Sequence, residues 1–97
     1  GEHQPLSFTL SQNYNNPFNL ETTIHFGLPS GGEVDLTVYD SAGQRVANLV
    51  AGFRDAGDHR LTWSAQDDEG RRLSSGVYFY RLTAGNQVLT RKLVFLK

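Results

Sequence analysis

Three histidines and one run of carboxylates are the residues whose types could support catalysis or metal binding in this sequence. His3, His25 and His59 fall on different predicted elements, and no pair has the i, i+4 or short-loop spacing of a metal site. Asp58 beside His59 could belong to a hydrolytic triad, but no serine stands in a Gly-x-Ser-x-Gly turn. We therefore interpret the histidines as surface or strand-end residues.

The carboxylates of Asp67, Asp68 and Glu69 could bind calcium, because hard cations prefer several oxygen ligands on one loop. Their spacing matches no EF-hand, and adjacent residues of a tight turn rarely converge on one ion. A plain polar turn is the favoured interpretation, with a calcium site as the alternative. A catalytic carboxylate pair of the glycosidase kind is disfavoured, because a short sandwich offers no cleft to hold the sugar. We expect no cofactor.

Three aromatic residues, Trp63, Tyr39 and Phe79, could form a platform on which sugar rings stack. A lone tryptophan on the inward face of a sandwich strand is usually a core residue, and we interpret Trp63 in this way. Tyr39 and Phe79 fall on strand faces opposite the predicted core, so they are either exposed rings or a second packed layer. A carbohydrate-binding module is therefore an alternative to be tested.

The composition is that of one small globular domain of 97 residues with a net charge of −1. This charge gives no electrostatic reason to expect nucleic acid or an anionic membrane as a partner. The absence of cysteine excludes disulfides and thiolate chemistry. The longest apolar runs are too short to span a bilayer, so we expect no membrane insertion. We also expect a monomer.

The elements that must position these residues are predicted to be strands. The strongest pattern spans residues 77–82, where four of six residues are β-branched or aromatic, and apolar residues on both faces favour the middle of a sheet. Alternation predicts further strands at 6–10, 22–28, 34–39, 59–63 and 87–96, with an edge strand or bulge at 45–51. Asp and Gly spacing predicts turns at 40–43, 67–70 and 85–86. About seven strands with turns roughly every 8–12 residues predict an all-β, immunoglobulin-like or fibronectin III-like antiparallel β-sandwich.

The predicted core consists of the inward residues of these strands and two rings from a segment rich in turn-forming residues. Tyr14 and Phe18, at residues 11–19, are expected to plug one end of the sandwich, because both rings are too large to leave in water. The predicted core is Phe8, Leu10, Tyr14, Phe18, Ile24, Phe26, Val34, Leu36, Val38, Leu61, Trp63, Tyr78, Tyr80 and Leu82.

Several short motifs occur together in the order and spacing of a known family. They are SQNYNNPFN at 11–19 followed by TTI at 22–24, VYD at 38–40 with Gly43, GDH at 57–59 with Trp63, and SGVYFYRL at 75–82 ahead of Arg91 and Lys92. Together they resemble the type A C-terminal sorting domains of proteins exported by the type IX secretion system. The pattern is also similar to the Ig-like domain of flagellar hook-capping proteins. The resemblance covers residues 10–97.

The resemblance implies a non-catalytic domain at the C-terminal end of a secreted enzyme or adhesin. Such domains are recognised by the outer-membrane secretion machinery and commonly removed by a sortase-like protease, and the cargo is released or attached to surface polysaccharide. The implied location is extracellular or on the outer-membrane surface, after export through the periplasm. Residues 1–97 would then be a single domain, a C-terminal fragment of a larger secreted protein.

The resemblance also implies which residues matter. Export recognition is expected in the terminal strand, at Arg91, Lys92, Leu93, Val94, Phe95, Leu96 and Lys97. The loop motif of the family corresponds to Asn13, Tyr14, Pro17, Phe18 and Asn19. The chain departs from the family at Asn15 and Leu20, where proline is usual.

Recognition of a strand edge would draw its affinity from backbone groups and its selectivity from side chains. Two other functions stay open, a carbohydrate-binding module and a structural Ig-like spacer, either of them attached to a secreted glycoside hydrolase. The chain itself is not expected to be an enzyme.

Overall fold

The computed structural model describes residues 7–97, which form seven β-strands and no helix. The strands are β1 (Thr9–Leu10), β2 (Thr22–Leu28), β3 (Gly32–Asp40), β4 (Arg45–Arg54), β5 (Gly57–Trp63), β6 (Gly76–Ala84) and β7 (Gln87–Phe95). They pair antiparallel into a three-stranded sheet of order β1-β2-β5 and a four-stranded sheet of order β4-β3-β6-β7. The predicted all-β, immunoglobulin-like sandwich is confirmed. In this part of the chain, no helix could span a membrane.

The core lies between the two sheets and takes mainly alternate residues of the strands, because successive side chains of a strand point to opposite faces. Most of the predicted core is buried, namely Leu10, Phe18, Ile24, Phe26, Val34, Leu36, Val38, Trp63, Tyr78, Tyr80 and Leu82. Two predicted members, Phe8 and Leu61, are only half-buried and pack against the margin of the core. The core also contains Leu28, Ala47, Val50, Ala65, Leu93 and Phe95.

The first strand is shorter than the sequence predicts. β1 consists of Thr9 and Leu10 alone, which pair with Gly27 and Phe26 of β2. Leu6, where the predicted strand begins, lies outside the described residues.

The strand with the strongest sequence pattern, β6, lies between β3 and β7, so its predicted central position is confirmed. Its inward residues Tyr78, Tyr80 and Leu82 are buried, whereas Phe79 and Arg81 lie on the opposite face. The sandwich has two layers, so that outer face stays at the molecular surface although part of it is apolar.

The tight turns form where Asp and Gly predict them. Asp40 accepts hydrogen bonds on Oδ1 from the backbone N–H groups of Ala42 (3.0 Å) and Gln44 (2.9 Å). Gly43 has a φ of 84°, a left-handed conformation that glycine adopts without a steric penalty. The two-residue turn at 85–86 joins β6 to β7 in register, with Ala84 opposite Gln87.

β4 is the edge strand that its irregular alternation predicts, and two register shifts interrupt its pairing with β3. Part of its free edge is covered by the turn at residues 67–70. Asp68 accepts the backbone N–H of Asn48 on Oδ1 at 2.8 Å and donates its own N–H to the carbonyl of Val46 at 3.3 Å. These bonds satisfy edge groups that would otherwise be open to pairing with another chain.

The prediction that two rings plug the end of the sandwich is wrong for one of them. Phe18 is 4% exposed, and its ring centroid lies 5.2 Å from that of Phe95 and 6.1 Å from that of Trp63. Tyr14 is 77% exposed. Its backbone pairs with Thr23 in an isolated bridge, and local alternation buries its neighbour Asn13 instead.

Removal of the buried Phe18 ring is therefore expected to lower the stability much more than removal of the exposed Tyr14 ring. Phe18→Ala is expected to lower the free energy of unfolding by about 3–5 kcal/mol, because it opens a cavity against two aromatic rings. Tyr14→Ala is the matched control and is expected to change it by no more than about 0.5 kcal/mol. Urea denaturation followed by tryptophan fluorescence measures both values. Equal losses for the two variants would contradict the assignment of Phe18 as the plug.

Candidate functional site

The two segments singled out in the sequence meet at the β7 edge of the four-stranded sheet. We call residues 11–20 the Asn13 loop and residues 91–97 the terminal segment. The backbone of Phe18 bridges the terminal segment in parallel register: its N–H donates to the carbonyl of Val94 at 3.1 Å, and its carbonyl accepts the N–H of Leu96 at 2.9 Å. The loop therefore occupies the position of a further strand beside β7.

Two polar side chains of the loop extend this contact along β7. The Gln12 side chain donates to the carbonyl of Lys92 at 2.7 Å, and Asn16 accepts the backbone N–H of Val94 on Oδ1 at 2.9 Å. Antiparallel pairing with β6 turns alternate backbone groups of β7 outward. The loop thereby bonds the carbonyls of Lys92 and Val94 and the N–H groups of Val94 and Leu96. A partner could add a strand at this edge only by displacing the loop.

Asn13 anchors the loop to the interior. It is buried, and its side-chain Nδ2 donates to Thr22 Oγ1 and to the carbonyl of Asn15, both at 2.9 Å. Its backbone N–H donates to the hydroxyl of Tyr80 at 2.8 Å, and that hydroxyl donates to the carbonyl of Ser11 at 2.6 Å. The hydroxyl of a core tyrosine on the central strand thus fixes the start of the loop.

Burial of the Tyr80 ring raises the pKa of its hydroxyl to about 12. The N–H of Asn13 and the positive charge of Arg91 act in the opposite direction but do not offset the burial. Burial also raises the pKa of Tyr78, with a smaller contribution from the charge of Asp40. Both phenols therefore stay protonated in the folded protein well above neutral pH.

The terminal segment divides into inward and outward side chains. Leu93 and Phe95 are fully buried and belong to the core. The outward set is exposed at Arg91, Lys92, Leu96 and Lys97 and half-buried at Val94. Among these, the Arg91 side chain donates from Nε to the carbonyl of Leu10 at 2.8 Å, joining the edges of the two sheets.

The residues of the loop motif also divide into a buried set and an exposed set. Asn13 and Phe18 are buried, whereas Tyr14, Pro17 and Asn19 are exposed.

A groove of about 380 Å³ opens where the loop and the terminal segment meet. It is lined by Asn15, Pro17, Phe18, Asn19, Leu96 and Lys97. The carbonyl of Asn19 accepts a hydrogen bond from Arg72 Nη2 at 2.6 Å, and the guanidinium of Arg72 lies 5.3 Å from the centroid of the Phe95 ring. The groove therefore combines apolar surface with nearby positive charge.

The carboxylates weighed as calcium ligands have protein partners. Asp67 accepts the backbone N–H groups of Glu69 and Arg71 on Oδ1, each at 2.9 Å, and its Oδ2 lies 3.0 Å from Arg71 Nε. The hydrogen bond from the Arg71 backbone is the main cause of a lowered Asp67 pKa. Asp68 accepts the backbone N–H of Asn48 at the edge of β4, and Glu69 Oε2 lies 3.1 Å from Arg71 Nη2. This geometry is that of a polar turn, and the residues from 7 to 97 contain no three-residue cluster suited to a metal.

The remaining candidates for chemistry lie apart from this site. Trp63 is 6% exposed and donates from Nε1 to the carbonyl of Gln66 at 3.1 Å, so its interpretation as a core residue is confirmed. The His59 ring is half-buried and stacks on Phe26 at 5.0 Å, and His25 is exposed on β2. His3 lies outside the described residues. Tyr39 and Phe79 are half-buried on the outer face of the four-stranded sheet.

A two-layer antiparallel sandwich with this strand order is an immunoglobulin-like domain. The family model for the FlgD Ig-like domain matches residues 11–87, which is well over half of the sequence. The chain therefore belongs to the FlgD Ig-like domain family. A comparison with curated protein sequences found no match.

The solved structures that are similar to this chain include FlgD, PorZ and PorU. FlgD from Pseudomonas aeruginosa has 24% identity and a TM-score of 0.60, over 76% of this chain and 57% of its own. PorZ, a surface component of the type IX secretion system of Porphyromonas gingivalis, has 16% identity and a TM-score of 0.60, over 93% of this chain and 11% of its own. Dimeric latent PorU from P. gingivalis has 16% identity and a TM-score of 0.71, over 93% of this chain and 9% of its own. At these identities the likeness establishes the fold, and the chain corresponds to only part of each protein.

The anchoring role of Tyr80 predicts a specific loss of stability. Tyr80→Phe removes one hydroxyl and leaves the buried N–H of Asn13 without its partner, so the free energy of unfolding is expected to fall by about 1–3 kcal/mol. Tyr39→Phe removes a surface hydroxyl and is expected to cost less than about 0.5 kcal/mol. Urea denaturation at neutral pH compares the two variants with the wild type. A Tyr80→Phe variant as stable as the Tyr39→Phe control would rule out the anchoring role.

The raised pKa of Tyr80 predicts how stability depends on pH. The unfolded phenol ionises near pH 10 and the folded one near pH 12, so the contribution of this group is complete below pH 10 and is lost between pH 10 and 12. As the pH rises through that range, ionisation of Tyr80 in the unfolded chain is expected to lower the free energy of unfolding by up to about 1.4 kcal/mol per pH unit. Denaturation curves measured across this range should show that the free energy of unfolding falls more steeply with pH for the wild type than for Tyr80→Phe. Parallel pH profiles would show that the hydroxyl ionises alike in both states.

Proposed function

We propose that this chain is a non-catalytic sorting module, carried at the C-terminal end of a secreted bacterial protein and recognised by the outer-membrane type IX secretion machinery. The observation that carries the proposal is the association of the terminal segment with the Asn13 loop. The loop motif and the terminal segment, to which the resemblance assigns the important residues, form one surface unit, held by backbone hydrogen bonds of Phe18 and the buried side chain of Asn13. An ordered unit of this kind suits recognition by a receptor.

The family and the structural comparisons support a module that serves a larger protein. The match covers nearly all of this chain but only 11% of PorZ and 9% of PorU, which is the proportion expected of a small domain joined to a large one. Under this proposal the mature parent protein lies outside the cell or on the outer-membrane surface. A sortase-like protease would remove the domain and attach the cargo to surface polysaccharide.

Recognition would use outward side chains rather than an open strand edge. Four of the backbone groups that an added strand would need already bond the loop, namely the carbonyls of Lys92 and Val94 and the N–H groups of Val94 and Leu96. The side chains of Lys92, Leu96 and Lys97 remain exposed, with those of Pro17 and Asn19 beside them. They are the surface that a receptor could read without unfolding the domain.

This arrangement dictates how the proposal is tested. Deleting the terminal segment would remove Leu93 and Phe95 from the core, so a failure of export would report unfolding. Substitutions of outward residues avoid that problem. The test variant is Lys92→Glu with Leu96→Ser, and the matched control is Arg60→Glu with Val88→Ser. Both variants reverse one positive charge and replace one exposed aliphatic side chain by serine, and the control sites lie outside the unit.

The assay joins residues 1–97 to the C-terminus of a neutral periplasmic reporter in a host that has the type IX machinery. The wild type and the control variant are expected to carry the reporter to the cell surface or the medium. The test variant is expected to leave at least about ten times more reporter in the periplasm, which corresponds to about 1.4 kcal/mol of lost receptor affinity. Circular dichroism melts verify that all three fusions fold alike. Export of the test variant at the wild-type level would refute recognition through these side chains.

A second candidate is supported by the family match itself. The FlgD Ig-like domain model and the FlgD structure favour a structural module, comparable to a domain of a flagellar hook-capping protein or a spacer. In that case the wild-type fusion would be folded and would remain in the periplasm. The same assay therefore separates the two candidates.

A further inference from the structure

A row of basic and aromatic side chains crosses the outer face of the four-stranded sheet. Arg45 of β4 lies opposite Tyr39 of β3, Tyr39 lies opposite Phe79 of β6, and Phe79 lies opposite Lys92 of β7. Neighbouring strands are about 4.8 Å apart, so the row extends roughly 15 Å across the sheet. Register thus places two aromatic rings side by side with a positive charge at each end. We call these four residues the outer row.

Arg81 is held over this row in a defined position. Its guanidinium carbon lies 4.6 Å from the centroid of the Tyr39 ring, and its Nη2 donates to the Tyr39 hydroxyl at 2.6 Å. Over residues 7–97, no carboxylate lies within ion-pairing distance of Arg81. A stacked guanidinium with unused donors can bind a carboxylate in a bidentate manner and loses little side-chain entropy in doing so.

A shallow groove of about 280 Å³ runs beside Arg81. Its lining is Tyr39, Asp40, Ser41, Gly43, Phe79, Arg81 and Thr90. Ser41 and Thr90 supply hydroxyls, and Asp40 supplies a carboxylate whose Oδ1 already accepts two backbone hydrogen bonds. The groove therefore offers aromatic surface, hydroxyl groups, one acidic acceptor and one cationic donor within a small volume.

We propose that this outer face binds an acidic oligosaccharide. The less polar face of a pyranose ring would pack on Phe79, and its hydroxyls would bind Asp40 and Thr90. A sugar carboxylate would bind the guanidinium of Arg81, which the Tyr39 ring and hydroxyl hold in place.

The chemistry of the face favours an acidic sugar over other anions. A nucleic acid would need a longer basic surface, whereas the chain has a net charge of −1 and Arg45 is already 3.9 Å from Asp68. An acidic peptide could bind Arg81 but has no need of hydroxyl-binding groups next to an aromatic ring. The lining of this groove contains no residue of the Asn13 loop or of the terminal segment, so variants at Phe79 and Arg81 test it without altering the surface proposed for export recognition.

The test is a titration of the uniformly ¹⁵N-labelled chain followed by NMR, at one fixed ionic strength. The probe is trigalacturonic acid, with maltotriose as the neutral sugar and a hexaglutamate peptide as the anion without a sugar ring. Arg81→Gln and Phe79→Leu are the site variants. Arg60→Gln, on the exposed surface of β5, is the matched control for the loss of one positive charge.

Saturable shifts of the amide signals of Tyr39, Phe79, Arg81 and Thr90 with trigalacturonic acid are expected, and no shifts with maltotriose. Arg81→Gln should weaken binding about tenfold or more, as expected for the loss of a charge-assisted hydrogen bond, whereas Arg60→Gln should bind like the wild type. Phe79→Leu keeps an apolar side chain at this position and should weaken binding while the domain stays folded. The absence of saturable binding would overturn the proposal. Equal binding of hexaglutamate, or equal loss in Arg81→Gln and Arg60→Gln, would overturn it too, because either result would mean attraction by charge alone.

Discussion

An open sheet edge leaves a row of backbone N–H and C=O groups without partners, and this sandwich closes such edges with polar side chains and a loop. On β7 the outward groups of the terminal segment bond Gln12, Asn16 and the backbone of Phe18. On β4, at the same end of the sheet, Asp68 bonds the groups of Val46 and Asn48. These bonds fix the turn at residues 67–70 against part of β4 and the Asn13 loop against the terminal segment of β7.

The closure of β7 depends in turn on a group at the centre of the fold. Tyr80 lies on the central strand, and its hydroxyl bonds the backbone of Ser11 and Asn13 across the core. One side chain thereby holds two residues that are distant in sequence, since Asn13 is 67 positions and Ser11 is 69 positions from Tyr80. Long-range hydrogen bonds therefore join the loop both to the centre of the four-stranded sheet and to the last strand.

The alternation of β-strands separates the residues that hold the fold from those available to a partner. Inward residues of the terminal segment fill the core, and outward residues form the surface that we propose a receptor reads. On β6 the same rule puts Tyr80 inside and Arg81 outside, where Arg81 stacks on Tyr39. One sheet can therefore present two separate surfaces, at its end and across its outer face, without any conflict with the packing of the core.

Much of the architecture could be predicted from the sequence, because period-two patterns and Asp–Gly turns are local features. The central place of β6, the edge character of β4, the tight turns and the burial of Trp63 followed from residue types and spacing alone. The exposure of Tyr14 did not, since the phase of alternation in an irregular loop is set by its pairing with Thr23 and not by ring size. A buried Tyr80 hydroxyl required some partner, but nothing local indicated that it would be Ser11 and Asn13. The sequence by itself thus determined the strands, the turns and the inward residues. Only the tertiary structure decided that the loop and the terminal segment form one unit and that Arg81 stacks on Tyr39, because both depend on which distant strands become neighbours and in what register.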